Sequence, residues 1–172
     1  MALVACQAGP ASVPDDWVEF IDEEKGLEVS YPSGWVRADV NLTPNLMGPR
    51  ELLSIGTFPL QPGGPACAQI PTNALIELGP EDTFLTLQGG LSQSPADHRP
   101  VFGPRVGIGM SELVFPDCLP EDQRSDIGRM QWIQFSDAGR GFYLLVAIGS
   151  EANSDVQGSV WAAANSLVFY ER

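Results

Sequence analysis

The sequence predicts an α+β fold in which one mainly antiparallel sheet is covered by a C-terminal helix and by one or more short helices. Three observations predict this class. Short segments alternate apolar and polar residues with a period of two, as half-buried strands do. The 18 glycines and 15 prolines divide the chain into short elements joined by turns. Near the C-terminus, the spacing of apolar residues changes to that of an amphipathic helix.

The first two strands are expected to form a hairpin. Residues 17 to 21 are a short apolar run, followed by the charged turn of residues 22 to 26. Residues 27 to 31 then alternate apolar and polar side chains, which predicts a strand with one buried face. The turn at residues 32 to 35 ends this strand, and Trp35 is expected to fold back onto the core.

The middle of the chain combines strands with irregular segments. Strands are predicted at residues 51 to 60, ended by Pro59, and at residues 83 to 87. Residues 37 to 50 have no regular pattern. Residues 89 to 104 form the most loop-like region, and their length indicates an exposed loop that can carry function.

Two segments are predicted as helices. Residues 71 to 79 fit one or two helical turns, with Pro71 near the start and Gly79 as the C-cap, and a strand is the alternative. The second helix lies near the C-terminus, where Asn153 or Ser154 can cap its start. Its apolar positions are Val156, Val160, Ala163, Ala164 and Leu167.

The remaining strands are predicted in the second half of the chain. They lie near residues 106 to 115, 129 to 135 and 141 to 148, and residues 136 to 140 form the hairpin loop between the last two. Residues 141 to 148 are apolar on both faces, which predicts a central strand that is covered on each side. Residues 167 to 169 are expected to form a final short strand or an extended tail.

Length and charge exclude several classes of protein. The 172 residues suffice for one domain with a sizeable core, which we assign to residues 17 to 172. Apolar residues make up 44% and charged residues 18%, which excludes a disordered chain. The net charge of −13 disfavours nucleic acids and anionic membrane surfaces as partners. No apolar run approaches the roughly 20 residues of a membrane span.

The N-terminal residues carry a localisation signal. Leu3-Val4-Ala5-Cys6 resembles the lipobox that ends a bacterial lipoprotein signal peptide, which implies lipidation of Cys6. Residues 1 to 16 would then be a truncated signal followed by a flexible tether. Only five residues precede Cys6, fewer than the basic region and apolar stretch of about 7–15 residues that export requires. Either the true start lies upstream or the match is a chance one. The expectation is an extracytoplasmic protein, secreted or held at the membrane by a lipid anchor.

The other two cysteines form an even pair. An exported protein is expected to oxidise Cys67 and Cys118 to a disulfide. Closing a loop of about 50 residues stabilises a fold by roughly 4 kcal/mol in the chain-entropy model. Two buried thiols are the alternative. No C-x-x-C motif occurs, so the sequence predicts no zinc site.

Motifs at both ends of residues 17 to 170 resemble those of PsbP-like domains. Tyr31-Pro32-Ser33-Gly34-Trp35 is similar to their opening signature of an aromatic residue, proline, a small residue, glycine and tryptophan. Asn165-Ser166-Leu167-Val168-Phe169 is similar to their end. The resemblance implies an antiparallel sheet sandwiched by helices. The group includes photosystem accessory subunits, a nuclear-transport cofactor and many bacterial lipoproteins, and it implies no shared catalytic residues.

A search for catalytic residues yields no candidate set. The one histidine, His98, lies beside Asp97 in the long loop, and no serine nucleophile motif accompanies it. Gly107-Ile108-Gly109 lacks the third glycine of a dinucleotide site. The acidic residues at 121 to 126 do not follow a calcium-loop pattern. The sequence therefore predicts no cofactor and no metal.

The leading hypothesis is a non-enzymatic binding or assembly module with an unknown protein or small-molecule partner. Its partner-binding residues are predicted in the long loop, where Arg99 and Arg105 flank Val101 and Phe102. The hypothesis is that Phe102→Ala weakens binding without loss of folding. A small hydrolase with an unrecognised carboxylate site is one alternative. A structural accessory subunit of a larger complex is the other.

Overall fold

The computed structural model describes residues 14–43, 48–64, 67, 69–91, 99–104, 110–112, 119, 121–124 and 126–170. Within them the chain is α+β and consists mostly of antiparallel strands, which confirms the predicted class. The strands in chain order are β1 (Trp17–Asp22), β2 (Leu27–Pro32), β3 (Val36–Arg37), β4 (Arg50–Gly56), β5 (Thr83–Leu91), β6 (Met110–Glu112), β7 (Ile127–Asp137), β8 (Arg140–Gly149) and β9 (Val168–Phe169). The helices are α1 (Thr72–Glu77) and α2 (Ser154–Ser166), and Glu121–Gln123 form a 3-10 turn.

Two sheets are formed where one was expected. The small sheet has the order β1-β2-β9, and its β1–β2 pair is the predicted hairpin. The large sheet has the order β3-β4-β5-β8-β7-β6, and every pair in both sheets is antiparallel. Strand β8 lies inside the large sheet, between β5 and β7. Its central position confirms the prediction from two apolar faces.

Two strand boundaries differ from expectation. Strand β4 ends at Gly56 and does not reach Leu60. The Thr57 amide still donates to the Thr83 carbonyl, but the Thr83 amide donates to the Thr57 hydroxyl, and the ladder stops there. Strands β7 and β8 extend into the predicted loop, so that only Ala138 and Gly139 form the turn. Both turn residues have positive φ, at 47° and 68°. This backbone matches the twist of the flanking strands, which lets pairing continue to the turn.

The helices follow the predicted segments closely. The helical alternative is the one formed at residues 72 to 77, and its C-cap is Leu78 and not Gly79. The Gly79 amide instead donates to an Asp82 carboxylate oxygen at 3.0 Å. In α2 the Asn153 side chain accepts from the amides of Asp155 and Val156 at 2.9 and 3.0 Å, which confirms one of the two predicted caps.

The large sheet separates two hydrophobic cores. The first core lies on the face where α2 and the small sheet cover the apolar residues of β5, β7 and β8. In it, Phe169 stacks on Phe142 at 4.1 Å between ring centroids. Trp35 packs against this core, as predicted. On the other face, α1 and the chain around Phe58 and Leu119 bury a second cluster. Among the described residues, no helix combines the length and apolar character needed to cross a membrane.

Candidate functional site

Arg99, a predicted partner-binding residue, is engaged with the fold itself. Its guanidinium donates to the carbonyls of Ala164 and Asn165 at 2.9 Å each, and also to the Leu167 carbonyl. These carbonyls are at the C-terminal end of α2, where backbone acceptors lack helical partners and a cation is favoured. Arg99 also pairs with Asp137 at 3.5 Å. Burial lowers the pKa of Arg99, and Asp137 opposes that shift.

Phe102, another predicted partner-binding residue, is buried. Its side chain is 3% exposed and packs edge-on to Phe135 at 5.2 Å between centroids. The Asn165 amide side chain accepts from the Phe102 amide and donates to its carbonyl, both at 2.9 Å. Both backbone groups of Phe102 are therefore hydrogen-bonded to α2, and its aromatic ring packs in the first core.

The other predicted site residues have mixed outcomes. Val101 is 87% exposed, as a partner-binding residue would be. Cys67 is disulfide-bonded, but Cys6 and Cys118 both lie outside the described residues, so the pairing of Cys67 with Cys118 stays a prediction. Arg105 and His98 lie outside them too. In the described ranges no three metal-ligating side chains come together, and this holds for Glu121, Asp122 and Asp126.

The structure presents an unpredicted surface at the free edge of the small sheet. Strand β1 is terminal in that sheet, and among the described strands it pairs only with β2. The hydroxyl of Ser166 accepts from the Ser30 amide and donates to the Ser30 carbonyl, both at 2.9 Å. Both backbone groups of Ser30 are thus used on the side of β2 that faces away from β1. In the β1–β2 ladder, Ser30 and Glu19 therefore form a pair without hydrogen bonds between them.

The alternation of hydrogen-bonded and non-hydrogen-bonded pairs determines which backbone groups of β1 have no partner in β2. In antiparallel pairing, hydrogen-bonded and non-hydrogen-bonded pairs alternate, so Ile21 has the same orientation as Glu19. The amides and carbonyls of both residues point to the outer edge, and no partner for them occurs among the described residues. The position of Pro32 opposite Trp17 agrees, because proline has no amide to donate in a ladder. We call strand β1 with its flanking residues 15–16 and 23–24 the β1 edge.

Side chains around the β1 edge are apolar and acidic. Ile21, Glu28 and Val168 lie in one row across the three strands, and Ile21 and Val168 are 52% and 42% exposed. Between Asp15 and Glu28 the chain carries seven carboxylates and one cation, which is Lys25. Sequence reasoning missed this surface. The signal was a short apolar run bracketed by acidic residues, which is how proteins protect an edge strand from indiscriminate pairing.

A small polar cavity lies where the β1–β2 turn meets the large sheet. Its volume is about 50 Å³, and its lining includes Lys25, Arg37, Asp39 and Glu51. Glu51 is buried, and its carboxylate accepts from the Thr43 amide and hydroxyl at 2.9 and 2.8 Å and from the Ser54 hydroxyl at 2.7 Å.

These contacts assign Glu51 a structural role. Lys25 donates to the Leu52 carbonyl at 2.9 Å, and Arg37 lies 3.3 Å from an Asp39 oxygen. Each charged group of the cavity thus already has a partner within the protein. The arrangement anchors the chain before β4.

No protein-family model matches this chain, and no curated protein is similar to it at a significant level.

Proposed function

We propose that this chain is a non-enzymatic extracytoplasmic binding or assembly module that is tethered to a membrane through Cys6. The observation that carries the binding role is the β1 edge. Within the described part of the chain, the backbone amides and carbonyls of Glu19 and Ile21 have no partner, and the Ile21 side chain is exposed. A folded protein normally covers such an edge, keeps it short or protects it with charged residues, because it invites pairing with another chain. The acidic residues restrict which chains can pair with the β1 edge but leave it accessible, as docking of a selected partner requires.

The hydrolase alternative has less support. Two carboxylates, Asp39 and Glu51, line the polar cavity, but the oxygens of Glu51 are held by Thr43 and Ser54. A general acid or base needs an oxygen within hydrogen-bond reach of a reacting group. The accessory-subunit alternative fits the β1 edge equally well, since it is also a docking role, and differs only in the permanence of the complex.

The resemblance to PsbP-like domains is part of the proposal. Its support is the placement of α2 on one face of the large sheet and of α1 on the other. Its second support is that the closing motif runs from α2 directly into β9. A PsbP-like sandwich that carries its own small sheet would then be the scaffold, and the β1 edge its docking surface.

Position-specific cross-linking tests the docking surface. A photo-reactive residue would replace Ile21 in the full chain, expressed in its own organism, and Val101, which is more exposed than Ile21, would serve as the control position. A partner that copurifies with the wild-type chain is expected to cross-link from position 21 and not from position 101. It is also expected to be lost from Ile21→Lys. A partner that is retained by a folded Ile21→Lys would rule out the β1 edge.

Lipid labelling tests the tether. The full gene would be expressed in a bacterial host with radioactive palmitate, and Cys6→Ser would be compared with the wild-type chain. We expect label and membrane association in the wild type and neither in the variant, because only the Cys6 thiol can carry the anchor. Equal membrane association of both proteins would contradict lipidation at Cys6.

A further inference from the structure

From the geometry and charge of the β1 edge we infer its mode of recognition, which rests on the proposed function. We propose that β1 binds an extended, basic polypeptide segment of another protein, which adds to the small sheet as a fourth strand. The recognised chemistry is a strand with alternating apolar and cationic side chains.

The backbone of the β1 edge is what makes strand addition possible. The amides and carbonyls of Glu19 and Ile21 face outward, two residues apart, as the exposed side of a ladder does. An added strand would exchange hydrogen bonds with both residues, since one strand can pair on each of its sides. Its side chains on the outer face would meet Ile21, which is half-exposed and has Glu28 beside it in the row.

Charge determines which strand can be added. Seven carboxylates and one lysine surround the edge, and Lys25 is already paired with Asp22 at 3.6 Å. The other nearby cation, Arg37, lies over the Phe20 ring on the inner side and pairs with Asp39. The edge is therefore strongly negative. A segment with lysine or arginine at alternate positions offsets this charge, and it also associates faster because of electrostatic steering.

The same charge argues against a second copy of this chain as the occupant. Antiparallel pairing of β1 with another β1 would place two acidic strands side by side. Like charges opposite each other destabilise a strand pair. The acidic residues thus select a basic strand and at the same time suppress self-association.

A synthetic peptide provides the probe. The peptide alternates lysine with valine, and its control has the same composition but is N-methylated at its central backbone amides. Calorimetry with the intact folded chain is expected to show binding of the first peptide and an affinity weaker by about tenfold or more for the second. Raising the salt concentration is expected to weaken binding of the first peptide by a similar factor. Amide exchange at Glu19 and Ile21 is expected to slow when it binds.

Two substitutions of Glu19 distinguish the contribution of its backbone amide to binding from that of its side-chain charge. Glu19→Pro removes an outward amide together with the side-chain charge, and it leaves the β1–β2 ladder bonds in place because that amide is not donated to Ser30. Glu19→Gln removes only the charge. We expect Glu19→Pro to abolish detectable binding and Glu19→Gln to weaken it a few-fold, with circular dichroism showing that both variants are folded.

The outcomes distinguish this inference from the proposed function. Equal binding of both peptides, or of Glu19→Pro and the wild type, would show attraction by charge alone and would overturn strand addition. Slow exchange of the Glu19 and Ile21 amides in the free chain would show that the edge is already occupied, and a β1-dependent dimer would identify a second copy as occupant. A partner that cross-links at position 21 while the lysine–valine peptide does not bind would refute only the basic strand. Absence of any partner at position 21 would refute the docking function itself.

Discussion

Single residues in the loop before β6 decide how the C-terminal helix is held. Arg99 and Asn165 together bond the backbone of α2 and of the loop, over a separation of more than 60 residues in the chain. The arginine is a planar donor with several N–H groups, which suits a cluster of carbonyls better than lysine does. Replacement of these residues therefore acts on stability, whereas the sequence alone had suggested a role in partner binding.

Phe102→Ala is expected to destabilise the fold by about 3–5 kcal/mol, because it empties a buried aromatic site in the first core. Chemical denaturation with urea measures this change. The matched control is Val101→Ala, whose highly exposed side chain should matter by less than about 0.5 kcal/mol. Equal stability of the two variants would show that Phe102 does not pack as described.

Arg99→Met is expected to destabilise the fold by about 2–4 kcal/mol, since several carbonyls lose a charged donor and Asp137 loses its partner. Arg99→Lys should recover only part of this loss. Arg50→Met removes an exposed arginine and serves as the control. If Arg99→Met unfolded at the same urea concentration as Arg50→Met, the anchoring role would be refuted.

Tyr170 is expected to titrate at higher pH than an ordinary tyrosine. The hydrogen bond from its hydroxyl to Glu28 is the main cause of the raised pKa, and the Glu28 charge adds to it. Because the pKa is raised in the folded state, the contact contributes stability below the ordinary tyrosine pKa of about 10. That contribution is lost as the pH rises through the folded pKa. Ultraviolet titration of Glu28→Gln should bring the pKa back toward its ordinary value, and an unchanged titration would disprove the contact.

At the scale of elements, the ladder of β1 and β2 makes a residue-by-residue prediction for amide exchange. Val18 and Phe20 lie in hydrogen-bonded pairs with β2, and Glu19 and Ile21 do not. Exchange measured by NMR in the free protein is therefore expected to be slow at Val18 and Phe20 and fast at the other two. The opposite alternation would mean that the free edge carries different residues, and the docking geometry would fail with it.

Elements differed in how well their sequences predicted them. The β1–β2 hairpin and α2 were predicted correctly because the spacing of apolar residues is constant along each element, that of a strand in the hairpin and that of a helix in α2. A turn or a cap residue also marks where these elements end or begin. The β7–β8 turn was predicted too long because Ala138 adopts positive φ, which its residue type disfavours. The separate small sheet was not predicted, because the spacing of apolar residues along a strand does not specify which other strand it pairs with.

At the scale of the whole molecule, the net charge of −13 predicts a dependence of stability on salt. Repulsion among carboxylates destabilises a compact state, and salt screens it. We expect the thermal midpoint to rise as sodium chloride is added. A double variant, Glu23→Gln with Glu24→Gln, should show a smaller rise, because both residues are exposed in the most acidic segment. A midpoint that fell with added salt would contradict net repulsion.

The candidate site was harder to predict than the fold. The loop of residues 99 to 105 has the composition of a docking loop, but whether Phe102 faces solvent depends on Asn165 and Phe135, which are distant in the sequence. For the β1 edge the local structure was predicted correctly, because its residues have the pattern of a strand. That this strand lies at a free edge follows only from the strand order of the small sheet.

By itself the sequence determined the fold class, most strand positions, the central place of β8 and the capped terminal helix. Each of these follows from local period, capping and turn chemistry, which operate between residues near one another in the chain. Only the tertiary structure decided that α2 takes up both backbone groups of Ser30, that Phe102 is buried and that β1 has a free side. Those features depend on contacts between distant segments, and such contacts leave no periodic trace in the sequence.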